Sequence, residues 1–417
     1  MNDLGVKLYQ YQRRLEQSTA KLNEDSLVCD ENKQAIVSFS KVRLAKGSSH
    51  GRVAKIVYCL RFLAHWLKKP YSQATKDDLI GLIGDLESNT NYSENTKHDY
   101  KIVLKMFYKW LKGNDEVAPP EIKWLVPKLK NEAHKLPEDL LTEDEVLKLA
   151  SAANHPRDRA IILVLYEAGC RIGELLTLQM KHVQFDKYGA VLRVTGKTGD
   201  RRVRIISSAP ALASWVDIYD NAKDPDAPLW PPRANSSSKP AKNAVKILDN
   251  RCASEMIKTL ARKVGIRKRI HPHLFRHSRA TSLAGKLTEA QMKEYFGWVQ
   301  GSDMAATYVH LSGRDVDNAL LKLHGLAKSE EEQEDRMKVR SCQRCKEYNS
   351  PIAKFCIKCG LPLDENFLAK VEKEIQTGNY INNALWENEE YREFSYKMMA
   401  KLGLDKKLAA TVNCHQP

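Results

Sequence analysis

Apolar residues recur at helical spacing through most of the first 113 positions. Val53, Ile56, Val57, Leu60, Phe62, Leu63 and Trp66 line one face of a single helix, which Lys68, Lys69 and Pro70 bring to a basic end and a stop. Asp77 and Asp78 open a shorter helix running through Leu86. Asn95 precedes a longer one that carries Tyr100, Val103, Leu104, Phe107, Tyr108 and Leu111 and closes at Gly113. Residues 1–34 read as a polar helical lead-in. With no strand pattern in 35–113, that stretch is predicted to be a small all-α domain.

The pattern then changes. Pro119, Pro120, Pro127 and Pro137 mark residues 114–140 as an extended linker. Thr142 followed by Glu143 and Glu145 is an N-cap with an acidic first turn. A buried helix over 159–168 and a short one over 173–178 precede period-two alternation at 190–194 and 203–206. These two strands are joined by a turn rich in Gly and Asp. Residues 224–242, rich in Pro and Ser, are expected to form a surface loop. Helical spacing resumes at 254–264, 277–284, 289–296 and 316–323. The 141–327 segment is therefore α+β, and the chain as a whole mainly α with a small β-sheet. An acidic linker (328–340), a cysteine module (341–363) and a helical tail (364–417) bearing Trp386, Tyr391, Phe394 and Tyr396 complete it.

Among the 417 residues the apolar run 160–166 stops at Glu167, far short of the roughly 20 residues a bilayer span needs. The N-terminus lacks the basic and apolar regions of a secretory leader, so a cytoplasmic protein with no membrane partner is expected. Charge narrows the partner. The formal net charge is +15, and residues 328–417 carry 15 basic and 15 acidic side chains, so the whole excess lies in 1–327. A basic body with a neutral tail suggests a polyanion, and nucleic acid is the commonest. On the helix after Asn95, Lys97, Lys101, Lys105 and Lys109 recur every four residues, a basic stripe suited to phosphate or to solvent.

Five of the nine cysteines are scattered, at 29, 59, 170, 252 and 414. The other four form two C-x-x-C knuckles, Cys342 with Cys345 and Cys356 with Cys359, ten residues apart. Four thiolates in this spacing suit tetrahedral structural Zn2+, in the manner of a zinc ribbon, and a closed set leaves no open position for catalysis. A disulfide pair is the alternative, disfavoured in a reducing cytosol.

Four segments between 165 and 312 carry residues suited to a phosphodiester. They are Gly169-Cys170-Arg171-Ile172-Gly173-Glu174-Leu175, Lys197 in the hairpin turn, His273-Leu274-Phe275-Arg276-His277, and Phe296-Gly297-Trp298 followed by Tyr308. Singly each is weak. In this order, over about 35–325, they resemble the tyrosine recombinase (phage integrase) family, and the longer strings around His273 and Trp298 look like its archaeal integrases. Two departures stand out: Trp298 replaces the commoner His, and its gap to Tyr308 is one residue longer than usual.

The resemblance implies a core-binding domain that clamps DNA, followed by a catalytic domain. It implies a site-specific recombinase that cuts and rejoins double-stranded DNA through a 3′-phosphotyrosine, without ATP or a catalytic metal, as a tetramer on DNA in a prokaryotic or archaeal nucleoid. Tyr308 would be the nucleophile, in preference to the nearby Tyr295. Arg171 and Arg276 would grip the non-bridging oxygens with planar forks, and Lys197 would protonate the leaving 5′-oxygen. His273 would assist proton transfer, and Trp298 would offer its indole N–H and buttress the tyrosine helix. Glu174 and His277 would hold their neighbours in place. Two alternatives remain open on sequence grounds: DNA relaxation by a type IB topoisomerase-like enzyme, or a non-catalytic DNA-binding protein.

Overall fold

A computed structural model describes residues 10–113, 115–129, 139–196, 199–233, 247–311, 320, 324 and 337–402. It is mainly helical with two small antiparallel sheets. Five helices build the first core: α1 (Tyr11–Asn23), α2 (Asp30–Ala45), α3 (His50–Leu67), α4 (Lys76–Ser88) and α5 (Glu94–Lys112). Ser49, Thr75 and Ser93 each cap a helix by accepting from a backbone N–H three residues on, and Asp78 returns the bond to Thr75. The α5 cap is thus Ser93, two residues before Asn95. Helix α3 ends as expected, with Lys68 in the left-handed region after Leu67.

The side chains of this core run from Leu22 to Leu125. Helix α1 and the short α6 (Pro120–Lys123) therefore pack with the body assigned to 35–113, and part of the expected linker belongs to it. Phe39 meets Phe107 edge-on at 5.3 Å. Buried Tyr71 and Tyr108 satisfy their hydroxyls on backbone carbonyls, Tyr71 on Leu60 at 2.6 Å and Tyr108 on Tyr71 at 2.9 Å.

The second core gathers α7 (Glu143–Ala152), α8 (Pro156–Ala168), α9 (Ile172–Leu176), α10 (Ala209–Val216), α11 (Asn250–Lys263) and α12 (Pro272–Ala284) around a three-stranded sheet. The strands are β1 (Val183–Asp186), β2 (Gly189–Gly196) and β3 (Gly199–Ile205), antiparallel in sequence order. The sequence pattern missed β1 because none of its four residues is fully buried. Helix α8 lies in the middle, with residues 160–166 all buried. Its Glu167 carboxylate accepts the backbone N–H groups of Ile206, Ser207 and Ser208, fixing the end of β3 to the start of α10.

The Pro- and Ser-rich stretch is no simple surface loop. Leu229 and Trp230 are fully buried in this core, and the Leu229 N–H donates to the Leu178 carbonyl. Residues 234–246 lie outside the described residues, as do Lys197 and Thr198, the acidic run 330–335 and, apart from Leu320, the helix expected over 316–323.

Helices α13 (Glu289–Phe296) and α14 (Met304–Leu311) close over α12 in a smaller third cluster that includes Tyr308. The cysteine module contains β4 (Arg340–Ser341) paired with β5 (Tyr348–Asn349), and its Ile352, like nearby Met337, packs on the second core. The chain then forms a hairpin of α15 (Glu365–Glu387) and α16 (Glu389–Leu402), pinned where Trp386 meets Tyr391 and Tyr396 edge-on. Among the described residues no helix is long and apolar enough to cross a membrane.

Candidate active site

A left-handed turn positions the first of the catalytic candidates. Helix α8 ends at Gly169 with φ +54, so the chain reverses and places Arg171 at the head of α9. Glu174, one turn into α9, accepts from the Arg171 backbone N–H at 2.9 Å and from its guanidinium at 2.7 Å. The oxygen that takes the Arg171 backbone N–H, Oε2, also accepts from Arg201 of β3, at 2.7 Å. Burial alone would raise the Glu174 carboxyl, but Arg201 and Arg171 outweigh it and hold it below the usual range. Glu174 thus anchors Arg171, which keeps about a third of its side chain exposed.

Arg201 is the site residue that sequence reading missed. It shares the strand parity of Val203 and Ile205, whose side chains enter the core. A guanidinium at a core-facing position was the available signal. Its Nε donates to the Tyr295 carbonyl at 3.1 Å, which joins the sheet to α13.

Arg276, on α12, is buried, with its Cζ 5.1 Å from the Phe296 ring centroid and 5.7 Å from that of Trp298. It donates to the Gly169 carbonyl at 2.8 Å and to the Phe296 carbonyl at 2.7 Å. Burial, with Arg171 adding, lowers its pKa to about 10, so it stays charged at neutral pH. Gly169 makes this approach possible, since a Cβ there would run into the Phe296 ring. A Gly169→Ala protein is expected to lose about 2–4 kcal/mol, from the left-handed φ and the displaced ring together. Chemical unfolding measures that loss, and cleavage should fall with it because Arg276 moves.

Tyr308 lies on α14, 4% exposed. Its ring stacks flat on Trp298, with centroids 5.5 Å apart and planes 3° from parallel, and Trp298 stacks in turn on Phe296 at 4.9 Å. The Tyr308 hydroxyl meets Nδ1 of His277. Burial pushes the phenol up to about 12, with Arg276 opposing. His273, one turn before His277 on α12, is exposed, and the two rings meet edge-on at 4.6 Å. Tyr295 is differently engaged, its hydroxyl donating to the Glu167 carbonyl. Lys197 is outside the described residues; the register of β2 with β3 pairs Gly196 with Gly199. A Cβ at Gly196 would lie 2.7 Å from Glu174 Oε1, so this end of β2 lies beside the Arg171–Glu174 pair.

The lysine stripe departs from expectation. Lys97 and Lys101 are buried, with Lys97 donating to the Glu87 carbonyl at 2.7 Å and Lys101 to the Glu87 carboxylate at 2.5 Å. Lys105 and Lys109 reach the carbonyls of Leu125 and Glu116 at 2.6 and 2.8 Å. The reason is helical geometry. Positions 97, 101, 104 and 108 follow the core face of α5, so the stripe begins against the core and drifts only to its edge. Lys97 and Lys101 thus tie α5 to the end of α4, whereas Lys105 and Lys109 are half-buried and each meets one carbonyl.

Cys342, Cys345, Cys356 and Cys359 converge, their sulfurs all within 4.8 Å of one another. The Cys342–Cys359 and Cys345–Cys356 separations of 3.6 and 3.4 Å are far beyond an S–S bond. They approach the ~3.8 Å edge of a tetrahedron with Zn–S bonds of about 2.3 Å. Each knuckle turns through a left-handed residue just after its second cysteine, Lys346 and Gly360. Asn349 supports the second knuckle, donating toward Cys356 Sγ at 3.7 Å and accepting from the Ile357 N–H at 2.8 Å. The residues fit a metal of this kind.

Comparison with known proteins agrees with this geometry. Residues 139–314 match the phage integrase family. The chain is 30% identical over 257 residues to the tyrosine recombinase XerA of Pyrococcus horikoshii, covering 60% of this chain and 80% of that protein. It is 28% identical over 236 residues to the tyrosine recombinase XerC of Xanthomonas campestris pv. campestris, covering 54% and 66%. In fold it resembles the XerH site-specific recombinase bound to palindromic difH substrate in a post-cleavage complex, with TM-score 0.51, 17% identity and coverage of 76% and 96%. It likewise resembles a lambda integrase dimer bound to a COC′ core site, with TM-score 0.52, 14% identity and coverage of 67% and 77%. With the fold, the ordered boxes and a relative matched over four-fifths of its length, the chain belongs to the phage integrase family, and its enzyme class is that of the tyrosine-type site-specific recombinases.

Proposed function

We propose that this protein recombines double-stranded DNA at specific sites by a metal-free phosphotransfer in which Tyr308 is the nucleophile. The observation that carries the reading is the Tyr308 hydroxyl, clamped flat by Trp298 and meeting a histidine next to Arg276 on α12. Arg276 and Arg171 take the non-bridging oxygens of the scissile phosphate, where charge builds in the transition state. The exposed ring of His273 faces that phosphate and donates to it. Lys197, which lies between β2 and β3 in the sequence, gives its proton to the departing 5′-oxygen. Trp298 acts through its ring, keeping the phenol in line. The product is a 3′-phosphotyrosyl bond and a free 5′-hydroxyl. Attack by a 5′-hydroxyl from a second duplex reverses the step, so no ATP is consumed.

The body built on the first core clamps the DNA. Exchange between two duplexes needs four cleavages, and four chains assemble on the DNA to supply them. Structural Zn2+ holds the cysteine module. Replacing Cys356 with Ser is expected to lower bound zinc from one per chain to none and to melt the module, since zinc ribbons draw most of their stability from the metal. Zinc analysis with a thermal scan checks both.

The reading is tested by incubating the protein with nicked duplexes carrying cognate sites, without metal or ATP, and digesting the covalent adduct for mass spectrometry. A nucleotide on the 304–311 peptide at Tyr308, and products joining two duplexes, are expected. An adduct elsewhere would overturn the assignment, and relaxation without joining would point to topoisomerase-like activity.

A further inference from the structure

We propose that His277, and not the histidine of the H-x-x-R pair, takes the phenolic proton from Tyr308 during cleavage. The inference rests on Tyr308 being the nucleophile, as argued above. Four observations converge on it. The Tyr308 hydroxyl lies in hydrogen-bonding contact with His277 Nδ1. The two rings are tilted by 42° with centroids 5.8 Å apart, which lets the imidazole lone pair meet the O–H rather than the ring face. The phenol is fixed by its stack on Trp298, so the contact does not depend on a mobile side chain. His273 occupies the same helix face one turn earlier but is exposed, while His277 lies deeper, between it and the tyrosine.

The chemistry requires such a group. A buried phenol with an elevated pKa is neutral at pH 7 and a weak nucleophile, and Arg276, the cation that opposes the rise, does not accept protons. For Tyr308 to donate to Nδ1, His277 must be the neutral tautomer with its proton on Nε2. As the Tyr308 oxygen forms its bond to phosphorus, the phenolic proton passes to Nδ1 and the bond from phosphorus to the 5′-oxygen breaks. That leaving oxygen takes a separate proton, from Lys197 in the reading above. On rejoining, the imidazolium returns its proton to the departing phenolate. The two histidines then divide the work, His273 on the phosphate and His277 on the nucleophile.

The test combines His277→Asn with tyrosine analogues of graded acidity at position 308. Asparagine sets a carbonyl oxygen near the place of Nδ1, so it can accept the hydrogen bond but not the proton. With native Tyr308, single-turnover cleavage should fall about 10²- to 10³-fold while DNA affinity stays within about twofold. With fluorotyrosines of progressively lower pKa, the deficit should shrink, because an acidic phenol needs less help. A 5′-bridging phosphorothiolate, whose sulfur leaves without a proton, should not restore the rate. A deficit unchanged across the fluorotyrosine series would make His277 a positioning residue and overturn the proposal, and rescue by the phosphorothiolate would move its action to the leaving group. His277→Gln serves as the second variant should Asn disturb α12. An adduct formed by Tyr308→Phe would instead refute the underlying nucleophile assignment, a distinct outcome.

Discussion

A Tyr308→Phe protein is expected to bind its DNA as tightly as wild type and to form no covalent adduct with it. Phenylalanine keeps the ring, so the flat stack on Trp298 and the packing against Ala305, Phe296 and Met292 survive. Only the hydroxyl is lost, and with it one hydrogen bond to His277, worth about 1 kcal/mol. Cleavage should drop at least ~10⁴-fold, since the covalent route has no second nucleophile to fall back on. Tyr295 is nearby in sequence, but its hydroxyl is committed to the Glu167 carbonyl. Denaturing gels of labelled suicide duplexes read the chemistry, and retardation in native gels reads the binding. A variant that still made the adduct would remove Tyr308 from its role.

Much of this site was legible before the structure because its residues sit in strings whose order is itself informative. Arg276, Trp298 and Tyr308, singled out through the resemblance, lie together in the structure, and Glu174 braces Arg171. The helices of the first core were equally plain, since an amphipathic face is a local property of the chain. What stayed hidden is what depends on partners distant in sequence. The stripe of Lys97 and Lys101 has the spacing of a solvated face, and only the position of Glu87 at the end of α4 reveals that it is spoken for. Arg201 enters the site because β3 turns one parity of its residues inward beside Glu174. Leu229 and Trp230 are buried where the Leu229 N–H meets the Leu178 carbonyl, a pairing that no composition signal announces. The histidine pair lies between these cases. An i, i+4 spacing puts His273 and His277 on one face of α12, but which of them meets the tyrosine is decided by where α14 packs.

An Arg276→Lys protein should fail more completely than the conserved charge suggests. The guanidinium does two things at once. It donates to the carbonyls of Gly169 and Phe296, at the C-terminal ends of α8 and α13, where helix carbonyls lack intrahelical partners and the dipole favours a cation. Those bonds use two of its five N–H groups, and the fixed fork leaves others for a phosphate oxygen. A lysine ammonium has three donors on one atom and cannot span both carbonyls while reaching a third acceptor. One buried carbonyl would then go unsatisfied, at about 1–3 kcal/mol, and the phosphate would lose a preorganised donor. The expected outcome is a 10²- to 10³-fold slower single-turnover cleavage at saturating DNA, with stability lowered by about 1–3 kcal/mol in chemical unfolding. Arg276→Ala should be worse in both respects, and guanidinium ion added to that variant should recover part of the cleavage rate if the cavity stays open. A lysine variant that cleaved at the wild-type rate would show that charge alone suffices at position 276, and that the fork resting on two helix ends serves the fold and not the reaction.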